Sequence, residues 1–221
     1  MNFIFDETKS TPLCEIMGRN KSDKGSLDIQ FSWHNYTTFY YSILKDIKET
    51  PLRVFELGLG TNNVKIPSNM GINGRPGASL YGWNEFFTNP NSQIFGADID
   101  KDILFQTEDN RITTYYCDQT NPHIINDMWN KNELLKEEFD IIIDDGLHEY
   151  NANVCFFENS IHKLKSNGYF IIEDIKNYEK DLFNNKIKEW QLKYTNLSFK
   201  LLPIPSIKNK SDNNLLVCFK N

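Results

Sequence analysis

The sequence predicts an α/β fold, with a seven-stranded, mostly parallel sheet, helices on both faces and a small N-terminal helical cap. From about residue 50 onward, short runs of β-branched and aromatic residues alternate with longer helical patterns, as expected for a doubly wound sheet. A Gly-x-Gly turn follows the first run, and acidic residues follow the next ones. Because ligands bind beyond the carboxyl ends of such strands, these residues indicate a site at that end of the sheet.

Each element is predicted from its own pattern. The strands are placed at residues 52–57, 93–99, 112–117, 139–144, 168–173, 197–202 and 214–219. The helices between them are placed at residues 78–87, 122–136, 151–164 and 178–194. The segment 203–213, with two prolines and a polar tail, is typical of a mobile hairpin connection. We therefore expect the last two strands to pair antiparallel.

The N-terminal region does not continue the strand and helix alternation. Residues 1–50 are predicted to be a cap segment, and residues 51–221 the main domain of one compact unit. An aromatic helix is expected from about Thr37 to Ile47. The aromatic residues of this region are as suited to covering a partner subunit, in a homodimer, as to covering the chain's own core; they are Phe31, Trp33, Tyr36, Phe39, Tyr40 and Tyr41.

Composition excludes several classes of protein. The 221 residues suffice for one domain with a sizeable core. No apolar run approaches eighteen residues, and no leader pattern opens the chain, so a soluble, cytoplasmic protein with no membrane partner is expected. A net charge of −6 without clustered Lys and Arg disfavours nucleic acid as a partner. The four cysteines lack zinc spacing, so we expect them to be reduced and structural.

The turn after the first strand indicates a bound cofactor. LRVFELGLGTNN places Glu56, Gly58 and Gly60 where glycines let the backbone approach a ligand closely. A dinucleotide-binding fold requires a third glycine and a helix that begins directly after the turn. Here Asn63 stands at the third position, and helix signals return only at residues 76–79. This weakens the interpretation as an NAD-dependent oxidoreductase or epimerase, which stays an alternative beside a plain strand-to-helix turn.

Acidic residues at the next two strand ends outline a nucleoside pocket. GADID places Asp98 and Asp100 where a carboxylate accepts the hydroxyls of a ribose. CDQT places Asp118, followed by Gln119, where a carboxylate can accept a hydrogen bond from the amino group of an adenine. Taken singly, each aspartate is more often a helix N-cap or a solvated turn residue. Their recurrence at successive strand ends favours a site.

The fourth and fifth strands end in further acids. In FDIIIDDGLHEY, an apolar strand is followed directly by Asp144 and Asp145 and then by His148. The next strand ends at Glu173 and Asp174. Neighbouring strands lie about 4.8 Å apart, so Asp145, Glu173 and Asp174 can share one cation. Oxygen ligands favour magnesium, manganese or calcium over zinc. In the alternative interpretation, Glu173 and Asp174 cap the next helix and His148 opens another.

These motifs together resemble a known family. ELGLG, GADID and CDQT resemble the cofactor motifs of class I S-adenosylmethionine-dependent methyltransferases, which have a Rossmann-like fold. NKSDKG with HNYT, then GRPGASLYGW, IIIDDGLHEY and YFIIEDI, resemble the metal-dependent sugar O-methyltransferases of the macrocin and mycinamicin type, over roughly residues 18 to 176. The resemblance implies S-adenosylmethionine and Mg²⁺ or Mn²⁺ as cofactors. It also implies that Asp145, Glu173 and Asp174 bind the metal and that His148 is the base.

The resemblance further implies methyl transfer to a hydroxyl of a sugar. The expected cytoplasmic, single-domain character fits a sugar or related precursor of a glycan, a capsule or a natural product, and a cation-centred site also suits a phosphorylated or phosphoramidate-bearing one. Lys24, His34 and Tyr36, with the loop 69–79, are expected to cover the cofactor, and Asp144 to face its methionine part. Leu147 stands where the family commonly has serine, which bears on the acceptor pocket. A metal-free methyltransferase of phenols or catechols and a non-catalytic nucleotide-binding protein stay as alternatives.

Overall fold

The computed structural model describes residues 3–6 and 8–221 as one seven-stranded sheet flanked by helices. The strands are β1 (Arg53–Leu57), β2 (Gln93–Asp98), β3 (Ile112–Tyr116), β4 (Phe139–Asp144), β5 (Leu164–Ile172), β6 (Leu197–Pro203) and β7 (Asn214–Lys220). The helices are α1 (Pro12–Arg19), α2 (Tyr36–Leu44), α3 (Ala78–Phe86), α4 (Pro122–Lys131), α5 (Tyr150–Ser160) and α6 (Lys180–Lys193). The predicted fold class is confirmed.

The strand order is β3-β2-β1-β4-β5-β7-β6. The pairs among β1 to β5 are parallel, and β7 lies antiparallel between β5 and β6. The predicted antiparallel pairing of the last two strands is therefore confirmed. The order reverses between β1 and β4, which is where an open α/β sheet forms its ligand crevice.

Both faces of the sheet are covered by helices. On one face, α4, α5 and α6 contribute Trp129, Phe156 and Trp190 to a buried cluster with Phe55 and Phe139 of the sheet. On the other face, α1, α2 and α3 contribute Met17, Tyr40 and Trp83 to a cluster with Val54 and Ile141. Strands buried on both faces are expected to be apolar throughout, as FDIIID is. The N-terminal helices are thus packed into the core of the sheet domain.

Several boundaries differ from the predictions. Helix α1 was not predicted from the sequence, although Thr11 caps it and Pro12 opens it, which is a recognisable start signal. Helix α2 begins at Tyr36 and ends at Leu44, three residues before the predicted end. Helix α4 ends at Lys131 because the backbone of Asn132 is extended, and a short 3₁₀ turn follows it. The differences in α2 and α4 lie at helix ends, where local capping outweighs periodicity.

Candidate functional site

A cavity of about 240 Å³ lies beyond the carboxyl ends of β1, β2, β3 and β4. It brings together eight of the predicted site residues. Gly58, Gly60, Asp98, Asp118, Gln119, Asp145, His148 and Asp174 all line it. The strand-end acids and the glycine turn, which are spread over more than a hundred positions of the sequence, thus face one space.

The glycine turn is required by its packing. Gly58 has a φ of 93°, and a Cβ there would lie 1.9 Å from the carbonyl oxygen of Asp145. Gly60 has a φ of 73°, and a Cβ there would lie 2.8 Å from Cγ of Met70. Residues with a side chain rarely adopt such φ values. The space that a Cβ would occupy is also filled by neighbouring atoms. The turn after β1 therefore packs directly against the end of β4.

The aspartates after β2 and β3 accept hydrogen bonds from groups close to the ends of their strands. Asp98 accepts hydrogen bonds from the amides of Leu59 at 2.7 Å and Asp100 at 2.8 Å. Burial raises the pKa of Asp98 above its ordinary value. Asp118 accepts from the amide and hydroxyl of Thr120 with one carboxylate oxygen. Its other oxygen has no hydrogen bond within the described residues, so it is free to accept from a ligand in the cavity.

Asp144 lies behind the cavity wall. Its carboxylate is fully buried and accepts hydrogen bonds from Nε2 of Gln119 at 2.7 Å and Nδ2 of Asn153 at 3.0 Å. Burial raises the pKa of Asp144 to about 6. The amide oxygen of Gln119 in turn accepts from the backbone of Leu147 at 2.7 Å. Asp144 and Gln119 thus brace the turn after β4, and Asp144 does not reach the cavity where the sequence analysis expected it.

Asp145, His148 and Asp174 form a group that could hold a metal ion. One ligand atom from each lies within 4.8 Å of the others. Nε2 of His148 lies 3.2 Å from Oδ1 of Asp145, and Nδ1 lies 3.5 Å from Oδ2 of Asp174. His148 and Asp174 have φ values of 57° and 55°, which non-glycine residues adopt at an energetic cost and which cluster at functional sites.

Two carboxylates next to His148 change the pKa of its imidazole. Burial on its own lowers the pKa of His148, but the carboxylates of Asp174 and Asp145 outweigh burial and raise it to about 10. Burial likewise raises the pKa of Asp145, but Lys24 and His148 outweigh burial and hold it below its ordinary value. The two carboxylates beside the ring thus favour the protonated form of His148.

Other predicted residues lie outside the cavity lining. The ammonium of Lys24 lies 2.6 Å from Oδ2 of Asp145, 2.5 Å from Oε2 of Glu173 and 3.5 Å from Oε1 of Glu56. Glu56 is fully buried and accepts from the Ser79 hydroxyl and from Nε1 of Trp83. The structure therefore places Lys24, Glu56 and Glu173 in one buried cluster, and the Lys24 ammonium joins Glu173 to Asp145 of the group described above.

His34 and Tyr36 contact Asp174 and do not line the cavity. Tyr36 donates its hydroxyl to Oδ1 of Asp174 at 2.6 Å. Nδ1 of His34 lies 3.4 Å from the same oxygen and 3.1 Å from Oδ1 of Asn213. Two of the residues expected to cover the cofactor thus support a carboxylate of the site.

Sequence reasoning missed several residues of the lining. Asp23, beside Lys24 in NKSDKG, lines the cavity, and burial raises its pKa. Ile66, Pro67 and Ser68 form another wall, next to Met70 of the loop 69–79 that was expected to cover the cofactor. Ser68 donates to the carbonyl of Leu147 at 2.8 Å. Only their adjacence to recognised motifs could have indicated them.

Among residues 3–6 and 8–221, no helix has both the length and the apolar character that a membrane crossing needs. The aromatic residues of the N-terminal region differ in exposure, with Tyr41 partly buried. Tyr36, Phe39 and Tyr40 are fully buried, whereas Phe31 and Trp33 are about half exposed.

No protein-family model matches the chain. It is 29% identical over 164 residues to the 8-demethyl-8-(2-methoxy-alpha-L-rhamnosyl)-tetracenomycin-C 3'-O-methyltransferase of Streptomyces olivaceus, a match that covers 74% of this chain and 36% of that protein. It is 32% identical over 144 residues to the Mycinamicin VI 2''-O-methyltransferase of Micromonospora griseorubida, covering 64% of this chain and 32% of that protein. The chain thus spans about a third of the length of these curated relatives.

Solved structures show the same fold. The MycE methyltransferase from the mycinamycin biosynthetic pathway, in complex with Mg and SAH, superposes with a TM-score of 0.70 at 21% identity, covering 97% of this chain and 56% of MycE. Its complex with Mg, SAH and Mycinamycin VI gives 0.69 at 23% identity, over 97% and 56% of the two chains. The resemblance to the macrocin and mycinamicin type of sugar O-methyltransferases, predicted from the motifs, is confirmed by these relatives.

Proposed function

We propose that this protein is an S-adenosylmethionine-dependent O-methyltransferase that uses a divalent cation and methylates a hydroxyl of a sugar. One observation carries the proposal: a single cavity joins the acids of β2 and β3, which suit a nucleoside, to the group of Asp145, His148 and Asp174 beyond β4 and β5. The names of the curated relatives support the reaction, and the Mg and SAH of the MycE complexes support the cofactors.

The cofactor would lie across the glycine turn. Asp98 would accept the ribose hydroxyls and Asp118 the adenine amino group, since both line the cavity at successive strand ends. Because Gly58 and Gly60 have no side chains, the backbone of the turn can closely approach the methionine part of the cofactor. Glu56, Gln119 and Asp144 would act indirectly, because their hydrogen bonds hold the walls of the cavity.

The residues present fit a hard divalent cation. Asp145 and Asp174 direct oxygens to the same space as His148, and Mg²⁺ binds in proteins through one or two carboxylates and water. When bound, such a cation lowers the pKa of a coordinated hydroxyl and compensates the carboxylate charge beside His148. Asp145 and Asp174 would hold it, and Glu173 was predicted as a further ligand.

The reaction needs a proton acceptor and a fixed geometry. The acceptor oxygen forms a bond to the methyl carbon as the bond from that carbon to sulfur breaks, and the hydroxyl proton passes to His148. Because the methyl group is already activated in the sulfonium, the protein must supply position and deprotonation. His148 can accept a proton only when the charge of Asp174 and Asp145, which raises its pKa to about 10, is compensated.

The acceptor is the finer part of this proposal. The relatives named above act on glycosylated tetracenomycin and mycinamicin, which supports a sugar of a natural-product precursor. A glycan or capsule precursor, including a phosphorylated or phosphoramidate-bearing one, is a further class to screen. If the protein is a homodimer, the half-exposed Phe31 and Trp33 are the residues that we propose for the interface. We also propose a cytoplasmic location for the reaction.

The test is calorimetric titration of S-adenosylhomocysteine into the protein, first with Mg²⁺ and then with EDTA, followed by methyl transfer to sugar acceptors. We expect binding in both conditions and transfer only with Mg²⁺. NAD and NADP are titrated as control ligands, because an NAD-dependent oxidoreductase, the alternative function, would bind them and not S-adenosylhomocysteine. Absence of S-adenosylhomocysteine binding in both conditions contradicts the proposed function.

A further inference from the structure

A long loop between β1 and α3 forms one wall of the cavity. The loop comprises residues 58–77 and contains no helix or strand. Loops of this length are uncommon in compact domains and are often functional. None of residues 62–70 is buried, yet four of them line the cavity, namely Ile66, Pro67, Ser68 and Met70. The segment 62–70 is therefore a thin cover, with the cavity on one side and solvent on the other.

The segment 62–70 has a narrow base. The amide of Met70 donates to the carbonyl of Thr61 at 2.8 Å, so the two ends of the segment lie side by side. Gly60 and Gly71 flank these ends with φ values of 73° and 68°. A Cβ on Gly71 would meet no atom within 4 Å. Glycines with room around them allow the backbone to change direction, so the base is suited to act as a hinge.

The tip of the segment bonds to the opposite side of the cavity. The hydroxyl of Ser68 donates to the carbonyl of Leu147, in the turn after β4, at 2.8 Å. Within the described part of the chain, it is the only hydrogen bond that joins the segment 62–70 to a residue outside the loop 58–77. The φ of Ser68 is 56°, a conformation that in non-glycine residues clusters in ligand clamps and switch regions. Exposed segments with few buried contacts open at a low cost in free energy.

We propose that the segment 62–70 is a gate over the cofactor, and that the hydrogen bond from Ser68 to Leu147 is its latch. S-adenosylmethionine enters and S-adenosylhomocysteine leaves when this bond breaks and the segment moves about its base. The inference rests on the proposed function, because that function supplies the cofactor. Ser68 is then a positioning residue, since its hydroxyl bonds the protein and not the cofactor. It therefore sets the rates of cofactor exchange and leaves the affinity nearly unchanged.

The experiment measures association and dissociation of tritium-labelled S-adenosylhomocysteine on the full chain by rapid filtration, without an acceptor. Ser68→Ala removes the latch at an exposed position. Loss of this hydrogen bond should speed both rates by the same factor, about threefold to tenfold, with the dissociation constant within about twofold of the wild type. Ser198→Ala is the matched control, because it removes an exposed hydroxyl that donates to the carbonyl of Phe219, in the sheet.

The outcomes separate the gate from the proposed function. Wild-type rates in the Ser68→Ala protein overturn the gate, while the binding of S-adenosylhomocysteine leaves the proposed function intact. Faster dissociation with unchanged association also overturns the gate, since Ser68 would then bind the cofactor directly. A wild-type protein that does not bind S-adenosylhomocysteine overturns the proposed function, and the gate with it. If the alanine variant does not fold, Ser68→Gly, which suits the left-handed backbone and also lacks the hydroxyl, is measured against the same expectation.

Discussion

The two sides of the cavity are built by different means. On the nucleoside side, Asp98 is held by backbone amides of its own strand end and of the glycine turn, and Asp118 by Thr120 two residues later. On the cation side, Asp145 and Asp174 are held by Lys24 and Tyr36, which are 121 and 138 residues away in sequence. Local bonds form wherever the strand and its turn form. Long-range bonds exist only once the N-terminal segment has packed onto the sheet.

The two sides should therefore respond to substitution in different ways: changes to the cation-side groups that take part in the reaction should lower methyl transfer, and changes on the nucleoside side should weaken cofactor binding. The largest effect is expected for Asp174→Asn, which removes a carboxylate that would hold the cation. Methyl transfer should fall at least about a thousandfold, because cation chemistry is worth several kcal/mol. S-adenosylhomocysteine affinity, measured by calorimetry, should change little. Asp181→Asn, at an exposed position of α6, is the matched control. Full activity of the Asp174 variant would contradict the cation site.

His148→Ala is expected to have the next largest effect. Loss of a general base lowers turnover by about 10² to 10⁴, while cofactor affinity is retained because the nucleoside side is intact. Single-turnover methyl transfer with saturating S-adenosylmethionine measures it. His123→Ala, at an exposed position of α4, controls for loss of a histidine. Unchanged turnover in the variant at position 148 would rule out the base role.

On the nucleoside side, Asp98→Asn should weaken cofactor binding without affecting the cation. Hydrogen bonds to charged groups are worth about 1.5–3 kcal/mol, so we expect S-adenosylhomocysteine affinity to fall roughly 10- to 150-fold. Mn²⁺ affinity should stay at the wild-type value. Asp127→Asn, at an exposed ion pair of α4, is the control. A matching loss of Mn²⁺ affinity would show that the two sides are not separate.

Tyr36→Phe should have the smallest effect. It removes the donor to Oδ1 of Asp174 and keeps the buried ring, which is stacked on His34. The loss of one such bond, about 1 kcal/mol, should weaken Mn²⁺ binding roughly fivefold. Tyr178→Phe, at a side chain that is 74% exposed, is the control. Wild-type Mn²⁺ affinity in the Tyr36 variant would mean that this bond does not orient Asp174.

The sequence was sufficient for the features that depend on neighbours in the chain. Buried strands were recognisable from apolar runs such as FDIIID, and the acids at their ends followed from the rule for open α/β sheets. Sequence reasoning could therefore place Asp98, Asp118 and Asp145 at one end of the sheet. The family resemblance added His148 as the base, which stays a prediction.

The sequence was insufficient for side-chain direction and for partners far along the chain. Glu173 and Asp174 are consecutive, yet one turns into the buried cluster with Lys24 and the other toward the cavity. The left-handed backbone of Asp174 is one reason, and no periodicity indicates it. Lys24 and Tyr36 were expected at the cofactor because nothing in the sequence shows which carboxylates the folded N-terminal segment meets.

The left-handed backbone at His148 has a consequence for the balance between stability and function. A residue with a Cβ loses about 1–2 kcal/mol in that conformation, whereas glycine does not. Once the imidazole has been removed, a glycine at position 148 should therefore give a more stable protein than an alanine. The difference between the two melting temperatures measures the strain that the chain carries so that an imidazole can stand between Asp145 and Asp174. At this position the residue that suits the backbone best is one that cannot carry out the proposed chemistry.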